Sequence, residues 1–324
     1  MNEVEKILIV RFGAIGDVVH STGLLRSLKK YNKNLEISYL TFKTPSLLLQ
    51  NDPDLEKIIV AEGKSYKILI KLAKELKKEK FDLCINLQPS IKTKFFSFIL
   101  GAKYNLTYKK TFKLHAVENF WKTASSFFKD LYLEEELKIY IPQETKDKIS
   151  DLLDKEKKII GFNIGVSSTR QGRRWPIQYW KDLADKLINK YNCEIILTGF
   201  NDDAEIIEQL NGLPGIKSFC GQLSLVENAA LLSQCNLLFS SDTGPLHIAT
   251  ALGVPCIGFY GAAPVKRTGP YGKKHHTLFS DRNCVPCNKR KCPLIKKGDL
   301  YTPCLEDITP DRVMQFIENN SLLM

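Results

Sequence analysis

The chain has 324 residues, with 47 Lys or Arg against 36 Asp or Glu and a formal net charge of +11. This length is about twice the ~150 residues of a single domain, which predicts two domains. Hydrophobic residues make up 44% and charged residues 26%, so the composition excludes disordered, collagen-like and coiled-coil classes. The sequence contains neither an apolar run near the ~18 residues of a membrane span nor a secretory-signal pattern. We therefore expect a soluble, cytoplasmic protein.

The first half alternates apolar segments with helical patterns. The run KILIV at 6–10 is a strand of the kind buried on both faces of a sheet, and a glycine-containing loop and a helix through Lys30 follow it. Further strands are predicted at 36–42, 57–60 and 81–87, and a further helix at 66–78. Strands that alternate with helices predict βαβ crossovers and a parallel sheet.

The polar segment 141–157 is the best linker candidate, which predicts domains at 1–150 and 151–324. The alternation then resumes, with strands predicted at 158–163, 194–198, 237–240 and 256–260 and helices at 175–191, 203–210, 225–233, 246–252 and 310–319. The predicted fold is α/β, with two doubly wound halves facing each other across a cleft. In such folds, ligands bind at the carboxyl ends of the strands.

Basic and aromatic residues are concentrated in the segment 92–129. It holds eight lysines and ten aromatic residues against a lone acidic residue, Glu118. A positive field of this kind attracts nucleic acid, an anionic membrane face or a phosphorylated lipid. The alternative is a solvated lysine face over an aromatic core, and composition alone does not name the partner.

Nine cysteines fall into two groups. Five are single residues in apolar contexts and are expected to be buried: Cys84, Cys193, Cys220, Cys235 and Cys256. The other four lie within 284–304: Cys284, Cys287, Cys292 and Cys304. Their spacing is compatible with a structural zinc or, in an oxidising compartment, with disulfides. We expect this segment to stabilise the fold rather than to form the active site.

The loop Gly13-x-x-Gly16-Asp17 is one glycine short of a dinucleotide-binding fingerprint. Asp17 falls at or near the start of the following helix, where it is either an ordinary helix cap or a catalytic carboxylate. The positive end of the helix favours an ionised side chain there, and such a carboxylate can accept a proton from a substrate hydroxyl. His20 lies on the same helical face, with helix packing as the alternative role.

A second candidate site is the turn Ser240-Ser241-Asp242-Thr243-Gly244-Pro245-Leu246-His247. It joins a strand to a helix, so backbone N–H groups at Thr243 and Gly244 are available to a pyrophosphate. A third is Ser167-Ser168-Thr169-Arg170 with Arg173-Arg174-Trp175-Pro176, because hydroxyls and arginines suit phosphate oxygens. By contrast, Asp52-Pro53-Asp54 reads as a turn rather than as a D-x-D metal site.

Five segments together resemble glycosyltransferase family 9, the ADP-heptose:lipopolysaccharide heptosyltransferases. They are ILIVRFGAIGDVVHSTGLLRSLKK, the strand and loop before RRWP, TGFNDD, SDTGPLHIATALGVPCIGFYG and the CxxCxxxxC segment before DITPDRV. The resemblance implies a GT-B fold of two Rossmann-like domains, with the acceptor mainly on the first and the nucleotide sugar mainly on the second. It also implies inversion at the anomeric carbon without a metal or other cofactor.

The resemblance also implies roles for individual residues. Asp17 matches the general base, with Gly13, Gly16 and His20 on the acceptor side. Arg173 matches a basic residue, usually Lys, that neutralises the diphosphate leaving group. The other donor-side positions are Ser167, Ser168, Asp242, Thr243, Gly244, His247 and either Asp202 or Asp203.

The implied reaction moves L-glycero-D-manno-heptose from ADP-heptose to a phosphorylated lipid A–Kdo acceptor, with peripheral contact at the inner membrane and no nucleic-acid partner. One alternative keeps the fold but uses another nucleotide sugar, or a protein or other surface glycan as acceptor. Another is a polyanion-binding module without catalysis. That reading accounts for 26 basic against 18 acidic residues in 1–150, but it leaves Asp17 and the Asp242 turn unexplained.

Overall fold

The structure is a computed structural model that describes residues 4–199, 204–289, 291–295 and 301–323. The chain divides into two compact units, Met1–Tyr140 and Ile141–Met324. The division falls ten residues before the predicted one, because helix α6 (Gln143–Ser150) packs on helix α9 (Leu225–Ser233) of the second unit. Ile149 of α6 is fully buried, so the predicted linker begins with an anchored helix.

The first unit is built around a five-stranded parallel sheet in the order β3-β2-β1-β4-β5. Its strands are β1 (Lys6–Val10), β2 (Glu36–Phe42), β3 (Lys57–Ala61), β4 (Leu83–Asn86) and β5 (Tyr104–Thr107). Its helices are α1 (Ile15–Tyr31), α2 (Lys43–Ser46), α3 (Tyr66–Leu76), α4 (Ile91–Leu100) and α5 (Ala116–Ser125), with a 3-10 turn at Lys77–Glu79.

Helices cover both faces of this sheet, which explains why its central strands are continuous apolar runs. On one face, Leu24 of α1 and Phe120 of α5 pack in a single apolar cluster with Ile7. On the other face, Leu69 of α3 and Phe96 of α4 pack against Leu8 and its neighbours. Successive residues of β1 therefore enter opposite cores, as the alternation of side chains along a strand requires.

The second unit contains a six-stranded parallel sheet in the order β11-β10-β9-β6-β7-β8. Its strands are β6 (Lys158–Asn163), β7 (Cys193–Thr198), β8 (Ile216–Ser218), β9 (Leu237–Ser241), β10 (Cys256–Tyr260) and β11 (His275–Phe279). Besides α6 and α9 its helices are α7 (Ile177–Tyr191), α8 (Ala204–Leu210), α10 (Gly244–Ala251), α11 (Val265–Thr268), α12 (Pro303–Glu306) and α13 (Pro310–Asn319), with a 3-10 segment at Ser168–Arg173.

An aromatic cluster forms the core of the second unit. Trp175 and Trp180 are both about 1% exposed, and their ring centroids are 4.8 Å apart in an edge-to-face arrangement. Trp175 also packs on Phe259 of β10, and its indole N–H donates to the carbonyl of Ile308 at 2.8 Å. This hydrogen bond joins the segment before α13 to the core.

Both sheets reverse their strand order at one point, between β1 and β4 in the first unit and between β6 and β9 in the second. Rossmann-like sheets bind ligands at such a switch point, beyond the carboxyl ends of the strands. The loops that follow these four strands are therefore where each unit's functional side chains are expected. Within the part of the chain that the structure describes, no helix has the length and apolarity needed to cross a bilayer.

Candidate active site

At the switch point of the first unit, Arg11 holds Asp17. Arg11 directly follows β1 and is 7% exposed. Its guanidinium donates to the carbonyl oxygen of Leu87, after β4, at 2.6 Å, and to Oδ2 of Asp17 at 2.5 Å. The cation also lies 5.5 Å from the ring centroid of Phe120. These contacts fix one side of the Asp17 carboxylate, whose side chain stays 27% exposed.

Asp17 is not the N-cap of α1. Ala14 occupies that position without a side-chain cap, and Asp17 is the third residue of the helix. Its carboxylate pairs with Arg11 instead of satisfying a backbone amide, so the interpretation as an ordinary cap is wrong. The residue still lies in the first turn, where the helix dipole attracts a negative charge. Its partial exposure leaves the carboxylate accessible to a substrate hydroxyl.

His20, predicted to lie on the acceptor side, is 1% exposed. Its ring packs edge-on against His115, with the centroids 5.1 Å apart, and His115 in turn caps α5 through Nδ1. Burial this complete favours the packing role that the sequence left open. Gly13 lies in the loop before α1 and Gly16 in its first turn, so both contribute backbone beside Asp17.

At the switch point of the second unit, the turn after β9 leads into α10 as predicted. Thr243 is the N-cap of α10, Pro245 lies in the first turn, and no side chain caps this helix. The helix therefore starts with backbone N–H groups that no capping side chain occupies, combined with the positive end of its dipole. That is the arrangement in which helix N-termini bind phosphate.

A buried amide explains why Thr243 does not cap the helix. Asn163, the last residue of β6, donates from Nδ2 to Oγ1 of Thr243 at 2.8 Å and to Oγ of Ser240 at 2.9 Å. Its Oδ1 accepts from the Thr198 hydroxyl at 3.3 Å. Asn163 thus joins β6, β7 and β9 at their carboxyl ends. It also holds the Thr243 hydroxyl away from the helix amides.

Asp242 and Arg173 form an ion pair beside this helix start. Arg173 Nη1 lies 2.7 Å from Oδ2 of Asp242 and donates to the Asp242 carbonyl at 2.5 Å. His247 Nε2 lies 3.5 Å from the other carboxylate oxygen. Burial and then the Asp242 charge raise the pKa of Tyr260 well above its usual value, which keeps that phenol neutral. The Asp242 carboxylate orients the guanidinium of Arg173. The Arg173 side chain is 23% exposed, so the guanidinium can also bind an anion.

Of the remaining predicted donor residues, Ser167 and Ser168 lie in the segment after β6. Ser167 is exposed between β6 and the 3-10 segment, and its carbonyl accepts from the Arg170 amide at 2.7 Å. Ser168 begins that segment, and its side chain lies outside the described residues. Asp202 and Asp203 both lie outside the described residues as well.

The prediction that the five single cysteines are buried is confirmed. All nine cysteines are free thiols. The four of the 284–304 segment line one depression together with Arg170 and Arg173. In the described ranges, no three His, Cys, Asp or Glu side chains are close enough to one another to hold a metal ion.

Asp52 and Asp54 have a structural role, because both form ion pairs with Arg26. Both carboxylates bind the guanidinium of Arg26, one on each terminal nitrogen. The Asp52 side chain is completely buried, and this burial raises its pKa although the charge of Arg26 opposes the shift. The pair joins α1 to the loop before β3, so the interpretation of this segment as a turn is confirmed.

Sequence reasoning missed two residues of these arrangements, Arg11 and Asn163. Both are polar residues at the end of an apolar strand. Arg11 directly follows KILIV, and Asn163 is the last residue of KIIGFN. That position was the available signal, because a side chain at the carboxyl end of a central parallel strand points to the ligand-binding edge.

The model of the family described as glycosyltransferase family 9 (heptosyltransferase) matches residues 69–297 of this chain. The chain belongs to this family. This glycosyltransferase is 25% identical over 323 residues to lipooligosaccharide heptosyltransferase 2 of Campylobacter jejuni, with 95% of this chain and 96% of that protein covered. It is 24% identical over 288 residues to the lipopolysaccharide core heptosyltransferase OpsX of Haemophilus influenzae, with 82% of each covered.

Solved structures agree on the fold of this glycosyltransferase. A family 9 glycosyltransferase from Veillonella parvula superposes with a TM-score of 0.85 at 24% identity, covering 100% of this chain and 98% of that one. The E. coli ADP-heptose lipopolysaccharide heptosyltransferase II gives 0.78 at 22% identity, with 98% of each chain covered. The predicted GT-B fold of two Rossmann-like domains is thereby confirmed.

Proposed function

We propose that this family 9 glycosyltransferase transfers L-glycero-D-manno-heptose from ADP-heptose to the inner core of lipopolysaccharide, with inversion at the anomeric carbon. The acceptor is a phosphorylated Kdo–lipid A or its heptosylated form. The observation that carries the proposal is the uncapped start of α10 beside the Arg173–Asp242 pair, in a member of this family. Its curated relatives are named as lipopolysaccharide and lipooligosaccharide heptosyltransferases.

The donor role of the second unit rests on charge. A nucleoside diphosphate leaving group gathers negative charge as the sugar departs, and preorganised donors aimed at that charge lower the barrier. The amides of Thr243 and Gly244 and the guanidinium of Arg173 supply such donors. Ser167, Ser168 and Asp202 are proposed to lie along the same nucleotide sugar, with His247 supporting Asp242.

The acceptor role of the first unit rests on Asp17. A sugar hydroxyl is a weak nucleophile and needs a base within hydrogen-bond reach. In the proposed step the acceptor oxygen forms a bond to the anomeric carbon and its proton passes to the Asp17 carboxylate. The bond from that carbon to the phosphate oxygen breaks, and its electron pair leaves with ADP. Gly13 and Gly16 are proposed to keep this loop open to the acceptor.

Arg11 fits this role as a positioning residue. One hydrogen bond fixes Arg11 to the carbonyl of Leu87, and the other joins Arg11 to Asp17. Together they restrain the orientation of the Asp17 carboxylate at the carboxyl edge of the sheet. The donor-side charges, Arg173 and the helix amides, stabilise the departing diphosphate without calling on a divalent cation. The proposed reaction is therefore metal-independent and uses no cofactor.

The acceptor is anchored in a membrane by its lipid, so the proposed site of action is the cytoplasmic face of the inner membrane. The protein would act there as a peripheral enzyme, without a nucleic-acid partner. The excess of lysine in the first half of the chain suits a phosphorylated lipid surface.

The test is a transfer assay with purified protein and a panel of nucleotide sugars: ADP-heptose, ADP-glucose, UDP-glucose and GDP-mannose. Each is offered Kdo–lipid A, heptosyl-Kdo–lipid A, or a deglycosylated surface protein. The proposal predicts turnover with ADP-heptose on a lipid A acceptor, and an Arg173→Met variant that binds ADP more weakly. Turnover that is faster with another sugar, or confined to the protein acceptor, would assign the fold to a different reaction.

A further inference from the structure

Helix α4 exposes its more apolar face. Its buried side carries Thr93, Phe96, Ser97 and Leu100. Its solvent side carries Ile91, Lys94, Phe95 and Phe98, spaced as one stripe of a helix. Ile91 is 79% and Phe98 80% exposed. Packing within the unit therefore does not explain why these large apolar side chains are present.

The stripe continues onto the neighbouring helix α3, which packs beside α4. Tyr66, the first residue of α3, is exposed, and its ring centroid lies 6.3 Å from that of Phe95. The ammonium group of Lys92 sits 5.1 Å over the same tyrosine ring. We call the surface formed by Tyr66, Ile91, Lys94, Phe95 and Phe98 the α3–α4 face.

Lysines outnumber acidic residues around the α3–α4 face. Between Leu83 and Val117 the sequence contains six lysines and no acidic residue. Lys64 and Lys67 flank Tyr66 and are exposed. Apolar side chains surrounded by lysines are typical of surfaces that bind the headgroup region of anionic bilayers. The apolar side chains are buried among the lipids, and the lysines are attracted to the lipid phosphates.

The face begins at the edge of the sheet that carries the proposed base. Helix α4 starts four residues after Leu87, whose carbonyl accepts the hydrogen bond from Arg11, and Arg11 in turn binds Asp17. Parallel strands place the starts of α1, α3 and α4 at this same carboxyl edge. A bilayer touching the α3–α4 face would therefore lie next to the end of the unit where a lipid-linked sugar must arrive.

We propose that the α3–α4 face docks the protein onto an anionic lipid bilayer, with Ile91, Phe95 and Phe98 inserted among the headgroups and the surrounding lysines against lipid phosphates. The proposal rests on the proposed function, because it names the surface through which a membrane-anchored acceptor reaches Asp17. Docking is a binding event that can be measured without any sugar transfer.

The experiment is co-sedimentation of the full-length protein with vesicles of phosphatidylcholine containing phosphatidylglycerol, compared with vesicles of phosphatidylcholine alone. We expect binding to the anionic vesicles that weakens as salt rises, because the lysine contribution is screened. Ile91→Ser with Phe98→Ser should reduce the vesicle partition coefficient by about 100-fold or more, the scale set by burying two large apolar side chains. Lys94→Glu should reduce it further at low salt.

Two variants serve as matched controls. Tyr132→Ser removes an aromatic side chain that is 78% exposed and lies next to Leu131, which belongs to the core on the other face of the sheet. Lys33→Glu reverses an exposed charge after α1. Both should bind vesicles like the wild type. All variants should keep the affinity for ADP and the turnover of a delipidated, water-soluble acceptor, because the α3–α4 face lies outside the proposed catalytic residues.

The outcomes separate this proposal from the proposed function. Vesicle binding that is absent in the wild type, equal on uncharged vesicles, or unchanged in the Ile91 and Phe98 variant would overturn the docking surface while leaving heptose transfer intact. Docking that behaves as expected, in a protein that does not use ADP-heptose, would instead contradict the proposed function alone. Salt-sensitive binding to duplex DNA in place of vesicles would assign the face to a polyanion other than lipid.

Discussion

Replacing Arg11 tests whether the orientation of Asp17 matters for transfer. Arg11 is buried and bridges Leu87 and Asp17 with two hydrogen bonds of 2.6 and 2.5 Å. Lysine keeps the charge but offers a single ammonium, which cannot take the place of the guanidinium fork on both acceptors. Methionine removes both hydrogen bonds while keeping an unbranched apolar stem.

The expected magnitudes follow from this geometry. Each hydrogen bond to a charged group contributes about 1.5–3 kcal/mol, so Arg11→Met should lower the free energy of unfolding by about 3 kcal/mol or more. Arg11→Lys keeps one of the two hydrogen bonds, so its free energy of unfolding should fall by roughly half as much as that of Arg11→Met. Misplacing a catalytic group by an ångström reduces the rate about 100-fold, and we expect a kcat loss of about 10- to 100-fold for Arg11→Lys.

The assay combines heptosyl transfer with urea denaturation of the same samples. Arg11 lies in the first unit and the proposed ADP cradle in the second, so the KM for ADP-heptose and the affinity for ADP should stay at wild-type values. A folded Arg11→Lys protein with wild-type kcat would refute the positioning role. So would a loss of rate that merely follows the fraction of unfolded protein.

Two further predictions concern the second unit. Arg173→Met should weaken ADP binding by about 10- to 100-fold, because it removes a guanidinium and leaves the Asp242 charge near the diphosphate, whereas Arg173→Lys should keep most of the affinity. Calorimetric titration with ADP measures both, and equal affinity in all three proteins would contradict the assignment. Burial of His275 lowers its pKa from 6.5 to about 4, so the neutral ring favours folding and this stabilisation is complete above pH 6.5. It should be lost as the pH falls toward 4, about 2 kcal/mol of it between pH 7 and 5. Thermal denaturation of wild type and His275→Gln across this range checks the slope, which should be shallower in the variant, and parallel curves would contradict it.

The central strands of both sheets could be predicted from the sequence. The bounds of β1, β2, β6 and β10 match the predicted ones, because a strand buried on both faces is a continuous apolar run with polar ends. Strands β5, β8 and β11 were missed. They lie at sheet edges, are short or polar, and owe their conformation to pairing with β4, β7 and β10 rather than to a pattern of their own.

The residues of the candidate site could be predicted only where the residue type and its position between a strand and a helix indicated a function. Asp17 and Asp242 are acidic residues close to strand–helix junctions, which the sequence displays directly. Their partners depend on tertiary structure, because Arg11 bonds to a carbonyl 76 residues away and Asn163 to a hydroxyl 80 residues away. The outward face of α4 was equally unpredictable, since both sides of that helix carry aromatic residues and the sequence does not say which side is buried.

The most direct measurement is heptosyl transfer from ADP-heptose to Kdo–lipid A by Asp17→Asn, with ADP affinity determined on the same protein. Asparagine keeps the size of the side chain and removes its capacity to take a proton. Asp311→Asn, which changes an exposed aspartate in the first turn of α13, is the matched control. We predict that Asp17→Asn binds ADP like the wild type and transfers no detectable heptose, while the control remains fully active. Wild-type transfer by Asp17→Asn would contradict the assignment of this carboxylate as the base.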